Sequence, residues 1–160
     1  MKYSTRELLD IAIGIEDTGY YFYMRCREKF DDPGFRELLA FLAEEELRHR
    51  ELFETLLKGL GEVPANLTEE YFQYIRAIGD DRVFRDHRDV DGVVSSIEGI
   101  SDVFRIALTA EKDSILYYTE LQSIYKNNAD AAAILARLAD EERKHVVSIL
   151  EFKENHGLAR

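Results

Sequence analysis

Two glutamate–histidine pairs, each separated by two residues, stand out in this 160-residue chain. One is Glu46 and His49 in "AEEELRH", and the other is Glu142 and His145 in "ADEERKH". In an α-helix this spacing puts both side chains on one face, about 4.5 Å apart along the axis. A single such pair in an acid-rich chain is more often a coincidence on a solvated surface. Its repetition predicts a site for divalent metal ions, which carboxylates and imidazoles bind together.

Each pair follows, by about thirty residues, another glutamate: Glu16 precedes the first and Glu111 the second. The surrounding segments are similar as well, with an offset of 95 residues for the first helix of each half and 96 for the second. The chain therefore contains a duplicated helical hairpin, which predicts a site with approximate two-fold symmetry. The matching segments are "IAIGIEDTGYYFY" (11–23) with "IALTAEKDSILYY" (106–118), and "LLAFLAEEELRH" (38–49) with "ILARLADEERKH" (134–145).

Four long helices carry an apolar seam with the 3–4 spacing of a bundle core, and each seam is polar in its middle. Buried carboxylates cost several kcal/mol each unless they are paired or bind metal, and no Lys or Arg lies on the seams at these levels. Two divalent cations would balance four glutamates, with two neutral imidazoles completing the ligands. This matches the di-iron or di-manganese template of ferritin-like bundles. The predicted ligands are Glu16, Glu46, His49, Glu111, Glu142 and His145.

Iron is favoured over zinc by this oxygen-rich donor set with two histidines, while manganese or zinc are possible substitutes. Tyr23 and Tyr118 lie two turns along from Glu16 and Glu111 on the same face. They are either aromatic core residues or phenols that hydrogen-bond to ligand carboxylates.

Other chemically active residues are assigned structural roles. Glu45 and Glu141 adjoin the ligands but lie about 100° around the helix, so we expect them to face solvent or a neighbouring chain. Cys26 is expected in the core, and His87 and His156 on the surface.

Helix-capping signals define the elements that position the site. Ser4 with Glu7 begins the first helix, which extends to about Lys29; Asp32 and Pro33 begin the second, and Gly59, Gly61 and Pro64 end it. The third begins near Ser101, and the fourth extends from a cap at Asn128 or Asp130 to about Asn155. The connection 61–101 is expected to hold one short helix, from Thr68 to about Ile78. The predicted fold is an all-α ferritin-like four-helix bundle, with two duplicated helical hairpins joined by a long crossover in a single domain, 1–160.

Composition narrows the function classes. A formal charge of −11 disfavours nucleic acid and anionic membranes as partners. No apolar run approaches the roughly 18 residues of a membrane span, and the N-terminus lacks a signal-type stretch. Cys26 is the one cysteine, so no internal disulfide forms. We expect a cytoplasmic protein.

The segments "DDPGFRELLAFLAEEELRHRELF" and "IALTAEKDSILYYTEL…LADEERKH" resemble the rubrerythrin branch of the ferritin-like superfamily. The resemblance implies a four-helix bundle, a bound di-iron centre and commonly a dimer in which bundles pack together or exchange helices. It also implies reduction of hydrogen peroxide by the diferrous site and re-reduction of the diferric site by a small electron carrier.

Two departures from rubrerythrins qualify this expectation. Rubrerythrins proper carry a four-cysteine rubredoxin domain, which these 160 residues lack, so electrons are expected from a separate rubredoxin-like protein. Rubrerythrins also have a further glutamate three residues after the third-helix ligand; here Ser114 stands there, and Gly19 is its counterpart. Both are small, which predicts a pocket for water, O₂ or peroxide.

The sequence-based hypothesis is thus a di-iron oxidoreductase that reduces peroxide or O₂ and forms a homodimer. The alternative is iron binding, storage or buffering without turnover. An interaction module with an empty site is a weaker third possibility.

Overall fold

The structure is a computed structural model that describes residues 4–61 and 67–158. Six helices occupy most of these residues, and none of the residues in these two ranges forms a strand. The all-α bundle predicted from the sequence is confirmed. The helices are α1 (Thr5–Lys29), α2 (Pro33–Leu60), α3 (Glu69–Asp80), α4 (His87–Ser96), α5 (Ile100–Ile124) and α6 (Ala129–Asn155).

The long helices begin at the predicted caps. The Ser4 hydroxyl accepts from the Glu7 backbone N–H at 3.2 Å, and the Glu7 carboxylate accepts from the Ser4 N–H at 2.9 Å. Asp32 accepts from the Phe35 N–H at 2.7 Å. Asn128, rather than Asp130, caps α6 by accepting from the Ala131 N–H.

The second helix ends at a glycine, as predicted. Gly61 has φ of 64° and its N–H bonds to the Leu57 carbonyl, a left-handed conformation that glycine adopts without steric cost. Pro64, also expected to stop this helix, lies outside the described residues.

The four long helices pack as two pairs, α1 with α2 and α5 with α6, which meet along α1–α5 and α2–α6. Their apolar faces form two separate core clusters. One includes Leu9, Phe53 and Leu135, and the other includes Phe22, Leu39 and Phe104. The polar midsections of the seams lie between them along the helices, so the predicted ligands are flanked by apolar core above and below.

The crossover holds two helices rather than the single one predicted. The predicted helix is α3, which packs on α5 and buries Phe72 and Ile75. The missed helix is α4, which packs on α1 and buries Val90 and Val94. Valine, serine and glycine give "HRDVDGVVSS" a weak intrinsic helix preference, so packing against α1 stabilises this helix more than its local sequence does.

Across residues 4–61 and 67–158, none of the helices combines the length and the apolar character that crossing a bilayer requires.

Candidate metal centre

The structure brings all six predicted ligands together at the centre of the bundle. Each of the four long helices contributes at least one of them, and each is at most 3% exposed. They are Glu16 on α1, Glu46 and His49 on α2, Glu111 on α5, and Glu142 and His145 on α6.

The six residues form two overlapping groups of four. In each group, one ligand atom per residue can be chosen so that all lie within 4.8 Å of one another. Glu46 and Glu142 belong to both groups. The first group is completed by Glu16 and His49, and the second by Glu111 and His145. Two carboxylates that are shared between two groups of ligands form an arrangement that could hold a pair of neighbouring cations.

Both histidines direct Nδ1 towards the carboxylates. His49 Nδ1 lies 2.7 Å from Glu142 Oε1 and 3.6 Å from Glu16 Oε2. His145 Nδ1 lies 3.3 Å from Glu46 Oε1, 3.4 Å from Glu111 Oε2 and 3.2 Å from Glu142 Oε2. The nitrogen that would bind metal is therefore the same in both halves of the duplication.

Several inward-facing atoms are buried without a hydrogen-bond partner in the described part of the chain. Unpaired buried polar atoms are costly and rare in folded proteins. Here they are the hard oxygens and the imidazole nitrogen that divalent cations bind, so the donor set fits a pair of metal ions. The atoms are Glu16 Oε2, Glu46 Oε1, Glu111 Oε2, Glu142 Oε2 and His145 Nδ1.

Three of the four carboxyl groups resist ionisation in the absence of a cation. Burial, followed by the charge of neighbouring glutamates, raises the pKa of Glu16 and Glu46 well above the ordinary value, and burial raises the pKa of Glu111 to about 8. Burial pushes the pKa of Glu142 up too, but hydrogen bonds with Glu111 and the two histidines outweigh it, so this pKa is lowered.

The two histidines hold their protons more tightly than an ordinary imidazole does. Burial lowers the pKa of His49 and His145, but the contacts with carboxylates outweigh burial, and both pKa values are raised. Protons and cations therefore compete for the same cluster, which is a general property of protein metal sites.

Two buried tyrosines contact the cluster from opposite halves. The Tyr23 hydroxyl donates to Glu111 Oε1, and the Tyr118 hydroxyl donates to Glu16 Oε1. Both tyrosines are at most 2% exposed, and burial together with these carboxylates raises their pKa well above the ordinary value. The phenols therefore stay protonated and fix one oxygen of each glutamate, which leaves Oε2 facing the site.

Glu45 and Glu141, expected to face solvent or a neighbouring chain, are instead half-buried and reach towards the histidine of the opposite helix. Glu141 is only 14% exposed, and its Oε2 lies 2.8 Å from His49 Nε2. Glu45 is 24% exposed, with Oε2 at 4.0 Å from His145 Nε2. A position 100° from the seam still lies on the α2–α6 interface, where a long side chain reaches the opposite helix.

The remaining chemically active residues lie where the sequence predicted. Cys26 is fully buried in the core, and His87 and His156 are exposed. The His87 ring stacks on Tyr21 and its Nε2 lies 2.8 Å from Asp17.

A cavity reaches the cluster between α1 and α5. Its volume is about 30 Å³, and Glu46, Glu111 and Tyr23 line it together with the small residues Gly19 and Ser114. The crossover segment Arg82–Phe84 also lines it. This segment carried no motif in the sequence, because only the path of the crossover places it against α1.

Gly19→Ala is expected to weaken metal binding at least about 10-fold. Disturbing a group that orients a metal ligand lowers metal affinity by an amount of this size. A Cβ at Gly19 would lie 2.9 Å from Glu46 Oε2, so this shared carboxylate must rotate. The fold tolerates that shift, because the atom belongs to the end of a flexible side chain.

Gly59→Ala is the matched control, since nothing lies within 4 Å of its Cβ and it too is a helical glycine of the bundle. Anaerobic Co(II) titration of both variants measures the difference. Equal affinities would show that the space at Gly19 is irrelevant to the site.

Comparison with known proteins relates just under half of the chain to one family. Residues 7–81, which span α1, α2 and α3 and include Glu16, Glu46 and His49, match the family model Rubrerythrin. No curated protein and no solved structure matches the chain. The described part of the second half repeats the same ligand types at equivalent helical positions and completes a buried cluster that could hold metal. The chain is thus similar to rubrerythrins over residues 7–81, and its described residues form an all-α bundle consistent with a ferritin-like protein.

Proposed function

We propose that this protein is a non-haem di-iron carboxylate oxidoreductase that reduces hydrogen peroxide or O₂ with electrons from a separate carrier protein. The observation that carries the proposal is the pair of four-residue groups sharing Glu46 and Glu142. The rubrerythrin match over residues 7–81 supports the same reading.

Iron suits this donor set better than zinc does. Each position would receive one histidine nitrogen and oxygens from three glutamates, whereas structural zinc sites favour four ligands rich in cysteine and histidine. Glu16 and His49 would hold one iron, Glu111 and His145 the other, and Glu46 and Glu142 would bridge them. Manganese is the main alternative metal.

The chemistry that such a pair supplies, when bound, is the two-electron reduction of an O–O bond. Conversion of one hydrogen peroxide to two waters consumes two electrons and two protons, and the carrier protein would return the electrons. The protein itself contributes geometry, a dry surrounding and placed protons. Tyr23 and Tyr118 hold protons at their phenolic oxygens and orient Glu111 and Glu16.

The cavity beside Gly19 and Ser114 supports a small substrate. A volume of about 30 Å³ has room for roughly one or two water-sized molecules, and it opens on Glu46 and Glu111. Peroxide or O₂ fits this space. The apolar clusters on both sides keep bulk water from the rest of the site.

Anaerobic reconstitution with Fe(II), followed by stopped-flow mixing with hydrogen peroxide, tests the activity. We expect rapid oxidation of the bound iron and repeated turnover when an electron donor is present. His145→Ala should lower the rate at least about 10-fold by removing a ligand of one position. His87→Ala, at an exposed histidine outside the cluster, should leave the rate unchanged.

Iron binding without peroxide consumption would instead support the storage or buffering alternative. Molecular size separates the two readings further. We propose that residues 1–160 form one domain that assembles as a homodimer in the cytoplasm and receives electrons from a rubredoxin-like protein. A large cage on a sizing column would favour storage.

A further inference from the structure

The two halves of the duplicated site differ in how their histidines are held from outside. His49 Nε2 lies 2.8 Å from Glu141 Oε2 and forms a hydrogen bond with it. The equivalent atoms in the other half, His145 Nε2 and Glu45 Oε2, are 4.0 Å apart. Within residues 4–61 and 67–158, His145 Nε2 has no hydrogen-bond partner although the ring is buried.

The arginines explain this difference. Glu141 is held by Arg137, with Nε 3.0 Å from its Oε1, and by Arg48, with Nη2 3.0 Å from its Oε2. Arg48 also contacts Glu45, at 2.6 Å, and draws this carboxylate towards its own helix. Glu141 is thus fixed by two guanidinium groups facing His49, whereas Glu45 is turned to Arg48.

The duplication does not repeat these arginines. The counterpart of Arg137 is Phe41, which carries no charge and whose ring lies edge-on to His145 at 6.3 Å. The counterpart of Arg48 is Lys144, which pairs with Asp140 at 3.3 Å instead. The asymmetry therefore follows from sequence differences between the two halves and does not depend on the rotamer of one side chain.

A carboxylate that accepts from the outer ring nitrogen of a histidine fixes the tautomer and orientation of the ring and makes the inner nitrogen a better metal donor. Glu141 does this for His49, whose Nδ1 faces Glu142 and Glu16. His145 receives no such support, and its Nδ1 must be oriented when the metal binds.

We propose that Glu141 is a positioning residue that makes the metal position of Glu16 and His49 the tighter of the two. The position of Glu111 and His145 is correspondingly weaker and more readily exchanged, and it is the one beside the cavity. This inference rests on the proposed metal centre and specifies how metal affinity differs between its two positions.

Anaerobic Co(II) titration of the wild type, Glu141→Gln and Glu45→Gln tests the inference by calorimetry and by the Co(II) absorption bands. The wild type should bind two ions in two resolved steps. Glu141→Gln should weaken the tighter step by about 10–100-fold, and Glu45→Gln should change neither step more than about 3-fold. Equal effects of the two substitutions, or two identical steps in the wild type, would overturn the inference.

A spectroscopic readout separates positioning from general stability. In Zn(II)-loaded protein with ¹⁵N-labelled histidine, the His49 Nε2–H should exchange slowly with solvent and should lose this protection in Glu141→Gln but not in Glu45→Gln. Equal protection of the two histidines in the wild type would contradict the asymmetry. A wild type that binds no Co(II) would remove the proposed function and this inference together, whereas two equivalent ions would remove the inference alone.

Discussion

Replacing Glu46 or Glu142 with glutamine is expected to abolish binding at both metal positions, because each carboxylate belongs to both groups of four ligands. The loss of metal affinity should exceed the roughly 10–100-fold decrease that follows removal of a hydrogen-bond partner of a ligand. Glu16→Gln or Glu111→Gln should each affect one position directly and leave about one ion bound. Metal content per chain after reconstitution with Fe(II) or Co(II) measures the difference.

Glu44→Gln is the matched control for this experiment, since Glu44 lies on the same helix as Glu46 but is exposed. It should retain the wild-type metal content. Glutamine is nearly isosteric with glutamate and carries no charge, so the shared-ligand variants should still fold. Two ions bound to folded Glu142→Gln would contradict the bridging arrangement.

The metal-free protein is expected to lose stability as the pH rises from 5 to 8. Burial raises the pKa of Glu16, Glu46 and Glu111 in the folded state, so the stability linked to their protonation is present at low pH and is lost as the pH rises through those values. Since the pKa of Glu111 is about 8, the loss spans this range.

The other titratable residues of the cluster do not reverse this fall in stability as the pH rises. The pKa values of His49 and His145 are raised, so their contribution is complete below about pH 6.5 and also falls as the pH rises. The pKa of Glu142 is lowered, so its contribution is lost only in acid. Each pKa unit corresponds to about 1.4 kcal/mol, and the summed fall in the free energy of unfolding should reach a few kcal/mol.

Bound metal should remove this pH dependence, because the cations replace the protons in the cluster. Urea unfolding at pH 5, 6, 7 and 8, with a chelator and with excess Co(II), measures both curves. Glu111→Gln should reduce the slope of the metal-free curve, which separates the effect of the cluster from that of the overall charge of −11. A metal-free protein that is equally stable at pH 5 and pH 8 would show that the buried carboxyls do not govern its stability.

Local sequence predicted the features that depend on helix periodicity and caps. The seam of Leu39, Leu42 and Phe53 fixes which face of α2 is buried, so Glu46 and His49 had to be buried with it. The same periodicity applies on α6. Because its segment repeats that of α2, the sequence indicates that the two glutamate–histidine pairs belong to one site. Each of these inferences uses only the rise and the turn of a helix, which the chain specifies over a few residues.

Relations between helices required the tertiary structure. The α4 helix depends on burying Val90 and Val94 against α1, because its own residues have a weak intrinsic helix preference. The placement of Arg82–Phe84 at the cavity depends on the path of the crossover.

The sequence by itself determined the four long helices, the candidate ligand residues and the duplication that pairs them, because these follow from residue spacing along the chain. The tertiary structure decided that Tyr23 reaches Glu111, that Tyr118 reaches Glu16, and that Glu141 supports His49 more closely than Glu45 supports His145. These contacts join different helices across distances of a few ångströms. They depend on how the helices are rotated and offset against one another, and that arrangement is set by the packing of the whole bundle.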